Sequence, residues 1–439
     1  MTAAATTTGN KPPCDRDDAL AVLTRLREAG HVAYFAGGCV RDELLGLTPK
    51  DYDVATDAPP DRVRQLFSNT QAVGAAFGVI LVRHRKSVVE VATFRTDGKY
   101  VDGRRPTEVT FTTAEEDAKR RDFTINGLFL DPIENRVIDY VGGQEDLKNR
   151  VLRAIGDPNH RFEEDHLRLL RAVRFAARFD LDIEERTHAA IKAHAPQIVR
   201  ISPERIAEEL RIMLTPPTRV VAWRLLWRLD IIKEIFRFSR AGDHSPDPEM
   251  PYYFDSVWPL KTIPFSVALT AADLCFRWRT SPPGTAVREL VGAKQARETI
   301  RAMRQGLRTS NAENEQMEEM LTALGTLLNG PYPSVAVKKR FAATPTQGGT
   351  RALLRALSHL GWYRERADRL EAELSVLEPA DYAPPPLITG DDLTDAGLTP
   401  GPKFKVALDQ TYDAQLEDRI TTRKEALEMA IGIVRGPSA

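Results

Sequence analysis

With 439 residues the chain is too long for one hydrophobic core, which predicts two to four domains in series. Its 61 Lys and Arg nearly cancel its 62 Asp and Glu, so a uniformly basic coat for nucleic acid is excluded while a local basic groove is not. Three cysteines, Cys14, Cys39 and Cys275, lack metal-ligand spacing and cannot build a disulfide framework, so a reducing compartment is expected. No apolar run approaches the ~18 residues of a membrane span. Met1 to Pro13 is rich in Ala and Thr without a charged-then-apolar layout, and reads as a disordered lead-in rather than a secretion signal. The cytoplasm is the expected location.

In chain order, Asp17 to Glu28 carries Leu20, Leu23 and Leu26 at helical spacing. His31 to Ala36 predicts a short strand, broken by Gly37-Gly38, with a helix from Val40 to Leu45 leaving the turn. Asp51 to Thr56 predicts a second strand, and Pro59-Pro60 opens a helix to Phe67. Val79 to Arg83 and Val88 to Phe94 predict a hairpin. The polar stretch Gly98 to Pro106 predicts a loop, Ala114 to Leu128 a helix, and Val137 to Tyr140 a return to the sheet. Residues ~30–150 thus form a compact α/β unit. Beyond ~155 the pattern is helical, with helices expected at Phe162 to Phe179, Thr187 to Ala195 and Pro203 to Leu214. Ser202 and Pro203 make a sound start for the last of these. Residues 236–263, with several Pro, Gly and aromatic residues, predict a connection between subdomains.

The chemistry-bearing residues cluster in the first half. Asp51 and Asp53 lie two apart on a predicted strand, so their side chains share a face, and two carboxylates there repel unless a cation lies between them. Mg²⁺ is bound by one or two carboxylates plus substrate phosphates, and such ions can activate an attacking hydroxyl and stabilise a leaving pyrophosphate. Most Asp-x-Asp pairs are only caps or surface pairs. Glu90, set in the apolar run Val88 to Ala92, is either an edge-strand acid facing water or a third carboxylate completing the site.

Gly37-Gly38-Cys39-Val40-Arg41-Asp42 is a common turn, or a place where backbone N–H groups and Arg41 approach a phosphate. Arg120-Arg121-Asp122-Phe123-Thr124-Ile125-Asn126 is either a helix with solvated arginines or a triphosphate contact. In Glu164 to Phe175, Asp165, Arg168, Arg171 and Arg174 recur every third residue. On one continuous helix the first three share a broad face and Arg174 drifts away. Asp165 and Arg168 offer acceptor and donor edges able to read a base as a partner base would. A ladder of i,i+3 ion pairs accounts for Asp165 and Arg168, but leaves three arginines with too few acids.

Gly-Gly-x-Val-Arg-Asp, Asp-x-Asp, Arg-Arg-Asp-Phe-Thr-Ile-Asn and Glu-Asp-x-x-Arg-x-x-Arg-x-x-Arg-Phe, in this order, resemble the class II CCA-adding enzyme and bacterial poly(A) polymerase family. The resemblance covers residues ~30–215. It returns near the end in Leu387 to Leu393 and Tyr412 to Leu416, with no residue-level match between ~216 and 380. It implies an α+β fold, a polymerase-β-like nucleotidyltransferase head followed by an α-helical neck, body and tail. The expected boundaries are 1–16 for the lead-in, 17–154 head, 155–215 neck, 216–335 body and 336–439 tail.

The resemblance also implies that Asp51 and Asp53 ligate Mg²⁺ with Glu90 as third acid, and that Gly38 and Arg41 contact the nucleotide. Arg121 would hold the phosphates, and Asp165 and Arg168 would select the base, assisted by Arg171 and Arg174. Asp139-Tyr140-Val141-Gly142-Gly143 is similar to the family's hinge motif, and Ser202 to Ile206 to its last neck motif. The implied reaction adds nucleotides from CTP and/or ATP to the 3′ end of tRNA, with no membrane and no DNA involved.

Poly(A) polymerases of this family carry a basic pair after a Gly where this chain has Gly74-Ala75-Ala76-Phe77, which counts against that activity. CC-adding members have a shortened loop where Thr96 to Pro106 is full length here, which favours an enzyme able to add A. An A-adding specialist keeps every motif and stays open. No His-Asp dipeptide occurs among the eight histidines, so no phosphohydrolase domain is expected. Two rivals from other classes are an inactive RNA-binding protein and a small-molecule nucleotidyltransferase. The intact acids count against the first and the long helical body against the second.

Overall fold

The computed structural model describes residues 14–74, 77–98, 108–239, 262–281, 285–359, 361–378 and 382–436. Most of the expected lead-in, most of the Gly98 to Pro106 loop, Ala75-Ala76 and most of the 236–263 connection lie outside the described residues. By its internal contacts the chain divides into two units. One comprises Met1–Glu209 with Leu225–Ile235, the other Leu210–Arg224 with Phe236–Ala439.

The first unit is built on a seven-stranded mixed sheet. Helix α1 (Arg16–Glu28) starts where the Asp15 carboxylate accepts the Asp18 N–H at 2.8 Å, and it buries Ala19, Val22, Leu23 and Leu26. Strand β1 (Ala33–Ala36) feeds α2 (Gly38–Leu44), and β2 (Asp53–Thr56) is followed by α3 (Pro60–Leu66), with Pro at its first position. Strands β3 (Thr70–Gly74), β4 (Val79–His84) and β5 (Ser87–Thr93) form an antiparallel run, with Arg85 in the left-handed region at the tight β4–β5 turn. A separate small pair, β6 (Arg95–Asp97) and β7 (Val109–Phe111), precedes α4 (Ala114–Lys119). Strands β8 (Leu128–Asp131) and β9 (Arg136–Asp139) complete the sheet, in the order β3-β4-β5-β2-β1-β8-β9. Within this sheet, among the described residues, β2 and β5 are the parallel pair; a separate parallel pair joins Val151–Leu152 to Asp182–Ile183.

Two expected helices are corrected. The one predicted over Ala114 to Leu128 stops at Lys119; Thr124–Asn126 is a single 3-10 turn, and Leu128 opens β8. Its end is fixed by tertiary bonds: Thr124 N–H donates to the Arg153 carbonyl and Phe123 bridges to Ala154. The helix predicted over Phe162 to Phe179 is two, α6 (Pro158–Glu164) and α7 (Leu167–Phe179), after α5 (Gly143–Lys148). Asp165 is extended at the break, and its carboxylate accepts the Leu167 N–H at 3.0 Å, which ends one helix and starts the next. Helices Glu185–His194 and Pro203–Leu214 follow as expected.

The second unit is helical throughout its described residues. Helix Phe265–Thr280 is almost wholly buried and packs on Asn311–Leu328, which begins with a reciprocal Ser310–Glu313 capping box. Helix Ala293–Gly306 packs on the same partner, and Gln347–His359 pairs with Arg364–Ser375. The last helices, Gly390–Asp395, Pro402–Leu416 and Arg423–Arg435, close around Ile388, Leu393, Phe404, Ala407, Ala426 and Ala430.

Candidate active site

The parallel β2–β5 pair sets the acids. Asp53 and Glu90 are register partners, so they emerge side by side on one face while Val54, Val89 and Val91 go into the core. Asp51 lies just before β2 rather than in it. It flanks the buried Tyr52, whose ring packs on Phe35 at 5.2 Å and whose hydroxyl donates to Glu43 at 2.8 Å. Asp51 accepts the Cys14 N–H at 3.4 Å. Neither Asp51 nor Glu90 forms an ion pair among the described residues. The three acids do not make the expected three-carboxylate cluster: among the described residues no group of three or more His, Cys, Asp and Glu is disposed to hold a metal.

The glycine turn leaves β1 beside these acids. Phe35 pairs with Val54, which brings the end of β1 next to Asp53. Burial, reinforced by the Asp53 charge, pushes the Cys39 thiol up to about 12, so it is no nucleophile at neutral pH. Gly37 has φ +72°, and a Cβ there would stand 2.7 Å from Arg121 Nη1. A side chain at 37 would be strained by the backbone and would have to displace the Arg121 guanidinium. Gly38 meets only Arg41, at 3.6 Å.

Arg121 reaches this turn from the other side, held by Asp117, a residue that the sequence reading missed. One Asp117 oxygen accepts Arg120 Nε and Nη2 at 2.9 and 2.8 Å, the other Arg121 Nε and Nη2 at 3.2 and 3.0 Å. Burial pushes the Asp117 carboxyl up, but Arg121 and Arg120 outweigh it and hold it low. Arg121 Nη1 donates to the Asn126 carbonyl at 3.1 Å, and its side chain stays 19% exposed. The signal was present in the spacing, an acid three and four residues before two arginines.

Arg41, expected to contact the nucleotide, turns inward in this structure. Its guanidinium donates to Asp42 Oδ1 at 2.8 and 2.6 Å and to Asn126 Oδ1 at 2.5 Å, and lies 4.3 Å from the Phe179 ring centroid. With 5% exposure it ties α2 to the Phe175 and Phe179 rings of α7. Arg174 is likewise committed, to Glu209 at 2.7 Å, with the Phe175 ring at 4.4 Å. Arg171 is bonded to Asp122 at 2.8 and 2.6 Å and remains a third exposed. Burial pushes the Asp122 carboxyl up, but the Arg171 charge and donors from Asn126 and Arg171 hold it down at about 2. The shortage of acids read along the α7 row is thus filled from outside that row.

Asp165 and Arg168 do not pair with each other. Asp165 accepts Arg205 Nη2 at 3.3 and 3.0 Å, and Arg168 is held by Glu164 and by the Arg161 carbonyl at 2.9 Å. Arg168 Nη2 also approaches the Arg120 carbonyl at 3.5 Å, so the Arg168 side chain adjoins the Arg120-Arg121 turn. The hinge motif is a backbone nest: Asp139 accepts the N–H groups of Val141, Gly142, Gly143 and Gln144 at 2.9 to 3.1 Å. A Cβ on Gly143 would sit 2.2 Å from the Thr124 carbonyl oxygen, which explains the glycine. No described helix is long and apolar enough to cross a membrane.

Residues 33–153 match a family model described as the poly A polymerase head domain, and residues 180–241 one described as a probable RNA and SrmB-binding site of polymerase A. The chain is 32% identical to the CCA-adding enzyme of Geobacillus thermodenitrificans over 428 residues, 95% of this chain and 96% of that one. It is 46% identical to the CCA-adding enzyme of Streptococcus pyogenes over 206 residues, 47% of this chain and about half, 51%, of that relative. The crystal structure of the Bacillus stearothermophilus CCA-adding enzyme in complex with CTP is similar over 97% of this chain and 98% of that one, with a TM-score of 0.67 at 27% identity.

Proposed function

Because this chain belongs to the family of CCA-adding enzymes, we propose that it extends the 3′ end of tRNA with C and A taken from CTP and ATP, releasing pyrophosphate. The observation that carries this is the meeting of Asp53, Glu90 and the Gly37-Gly38 turn at one end of the β1–β2–β5 strands, with Arg121 against that turn. A phosphate cradle beside carboxylates is what transfer of a nucleotidyl group needs.

The donor set suits a hard divalent cation. Asp51 and Asp53 offer carboxylate oxygens, and Mg²⁺ takes only one or two such ligands beside substrate phosphates and water. Asp51 and Asp53 would hold Mg²⁺, which supplies charge neutralisation at the phosphates and lowers the pKa of the attacking hydroxyl. Glu90 adds negative charge to the same face. Gly38 lets the triphosphate approach the backbone, and Arg121, oriented by Asp117, meets its developing charge. The terminal ribose hydroxyl attacks the α-phosphate, its proton leaves toward the carboxylates, and the bond to the β-phosphate breaks. Asp165 and Arg168 read the base by exchanging their contacts to Arg205 and Glu164 for the base edge, with Arg171 bordering them. Three buried cysteines, none of them in a disulfide, suit the reducing cytoplasm.

The test uses Mg²⁺ and labelled tRNA transcripts that end before CCA or end in CC, each given CTP, ATP or both. Completion of CCA on the first transcript is the expected result. A single A added only to the CC-ending transcript makes the chain an A-adding specialist, and a long A ladder makes it a poly(A) polymerase. No transfer by the folded protein overturns the reading in favour of an RNA-binding protein.

A further inference from the structure

Helix Ala293–Gly306 of the second unit carries cations where a helix does not favour them. Ala296, Thr299, Ile300 and Met303 bury one face of it. Lys294, Arg297, Arg301 and Arg304 are all exposed. At 100° per residue these four lie within an arc of about 80°, and at 1.5 Å per residue they span about 15 Å of helix axis. None of them forms an ion pair among the described residues. Glu298, the single acid of the helix, forms none either. Arg308, past the helix end with φ 50°, is exposed and equally unpaired.

The row works against the helix that bears it. Its neighbours stand at i,i+3 and i,i+4, spacings at which like charges repel. Lys294 and Arg297 sit near the N-terminus, where the macrodipole disfavours cations and where the first turn holds no acid. Other arginines of the same unit are put to structural use: Arg366 donates to the carbonyls of Leu327, Asn329, Gly330 and Pro331, and Arg351 and Arg355 share Glu371. The Ala293–Gly306 row has no such internal occupation. A self-repelling line of guanidinium groups gains only from a line of anions outside the protein. A membrane surface fits poorly, because the apolar face of the helix is spent on its own core.

Resting on the tRNA-transferase reading, we propose that Lys294, Arg297, Arg301 and Arg304 grip the phosphate backbone of the RNA substrate. They take successive phosphates by charge and shape rather than by base sequence. The row supplies affinity and positioning, and takes no part in the chemistry.

The experiment compares the full-length protein with the variant R297Q/R301Q/R304Q, whose changed side chains are all exposed. Dissociation constants for a tRNA transcript lacking CCA are measured between 50 and 200 mM salt (about a Debye length of 10 Å at mid-range), alongside kcat at saturating tRNA. The variant is expected to bind about tenfold or more weakly at low salt, with its log–log salt slope reduced by about 3, while kcat and the KM for CTP stay within about twofold. An unchanged dissociation constant and salt slope in a transferring enzyme overturn the proposal alone. A wild-type chain that binds tRNA through the row yet transfers nothing overturns the transferase reading and supports the row. A variant that loses affinity for a polyanion such as heparin while its affinity for tRNA is unchanged overturns it in favour of an acidic protein partner.

Discussion

Two charged regions of the first unit are built on opposite plans. At the end of β2 and β5, Asp51 and Glu90 have no cation at ion-pair distance among the described residues. A few residues away, Arg41, Arg121, Arg168, Arg171 and Arg174 each hold a named acid: Asp42, Asp117, Glu164, Asp122 and Glu209. Desolvating charge without a partner is costly, so a region that leaves carboxylates without protein counter-charge is one that expects the charge from a ligand. A region that pairs these arginines with acids holds its side chains in place by internal electrostatics. The same motif vocabulary therefore covers two arrangements, the acids proposed to bind a ligand and the arginines that hold together α2, the Thr124–Asn126 turn and α7.

The largest expected effect breaks the acid side of this comparison. Asp53→Ala or Asp51→Ala should lower nucleotide transfer by ~10³-fold or more, equivalent to about 4 kcal/mol of barrier. Thermal unfolding should stay near wild type, since removing one acid from a repelling pair costs the fold little. Transfer within tenfold of wild type, measured on tRNA with saturating Mg²⁺, would remove these residues from the reaction.

The arginine side makes the reverse prediction, stability before chemistry. Asp122→Asn leaves Arg171 without its acid and should cost about 2 kcal/mol, below the value for a fully buried pair because Arg171 is a third exposed. The pH dependence follows from the same pair. With a folded-state value of about 2 against ~3.9 unfolded, the Asp122 carboxylate contributes stability that is complete above pH ~4. That contribution is lost as pH falls through about 2. Urea unfolding midpoints between pH 6 and 2 should therefore fall less steeply in Asp122→Asn than in wild type, and parallel curves would show that the pair is not the source.

How much of this was legible before the structure depends on separation along the chain. The strand pattern around Asp53 and Glu90 was readable because period-2 alternation is local, and the acids stand out against Val54, Val89 and Val91. The Asp117 clamp and the Glu164–Arg168 pair were readable in principle, being four residues apart. Arg41 to Asn126, Asp122 to Arg171, Arg174 to Glu209 and Asp165 to Arg205 span 85, 49, 35 and 40 residues. No periodicity reports such pairs. The split at Asp165 was missed for a related reason. Apolar spacing alone continues through it, and only the carboxylate's bond to the Leu167 N–H stops the helix. The Phe175 and Phe179 rings against Arg41 likewise come from a distant helix, which no local spacing reports.

The smallest effect lies on the border between the two plans, at Asp165. This carboxylate has a protein partner, Arg205, but a single one among side chains, and through Nη2 alone. It can thus exchange Arg205 for a base edge at little cost, unlike Asp122, which is saturated. Asp165→Ala should reduce the discrimination between CTP and ATP by about tenfold, or ~1.4 kcal/mol, with a smaller loss in kcat for the preferred nucleotide. Arg205→Ala should shift the same ratio in the same direction by only about threefold, since it leaves the acceptor in place but frees its orientation. Both ratios come from kcat/KM measured for each nucleotide on the matching tRNA end. If Asp165→Ala leaves the ratio untouched while lowering the unfolding midpoint, Asp165 belongs wholly to the structural plan, as the residue that separates α6 from α7, and base selection has to be sought elsewhere around the Arg120-Arg121 turn.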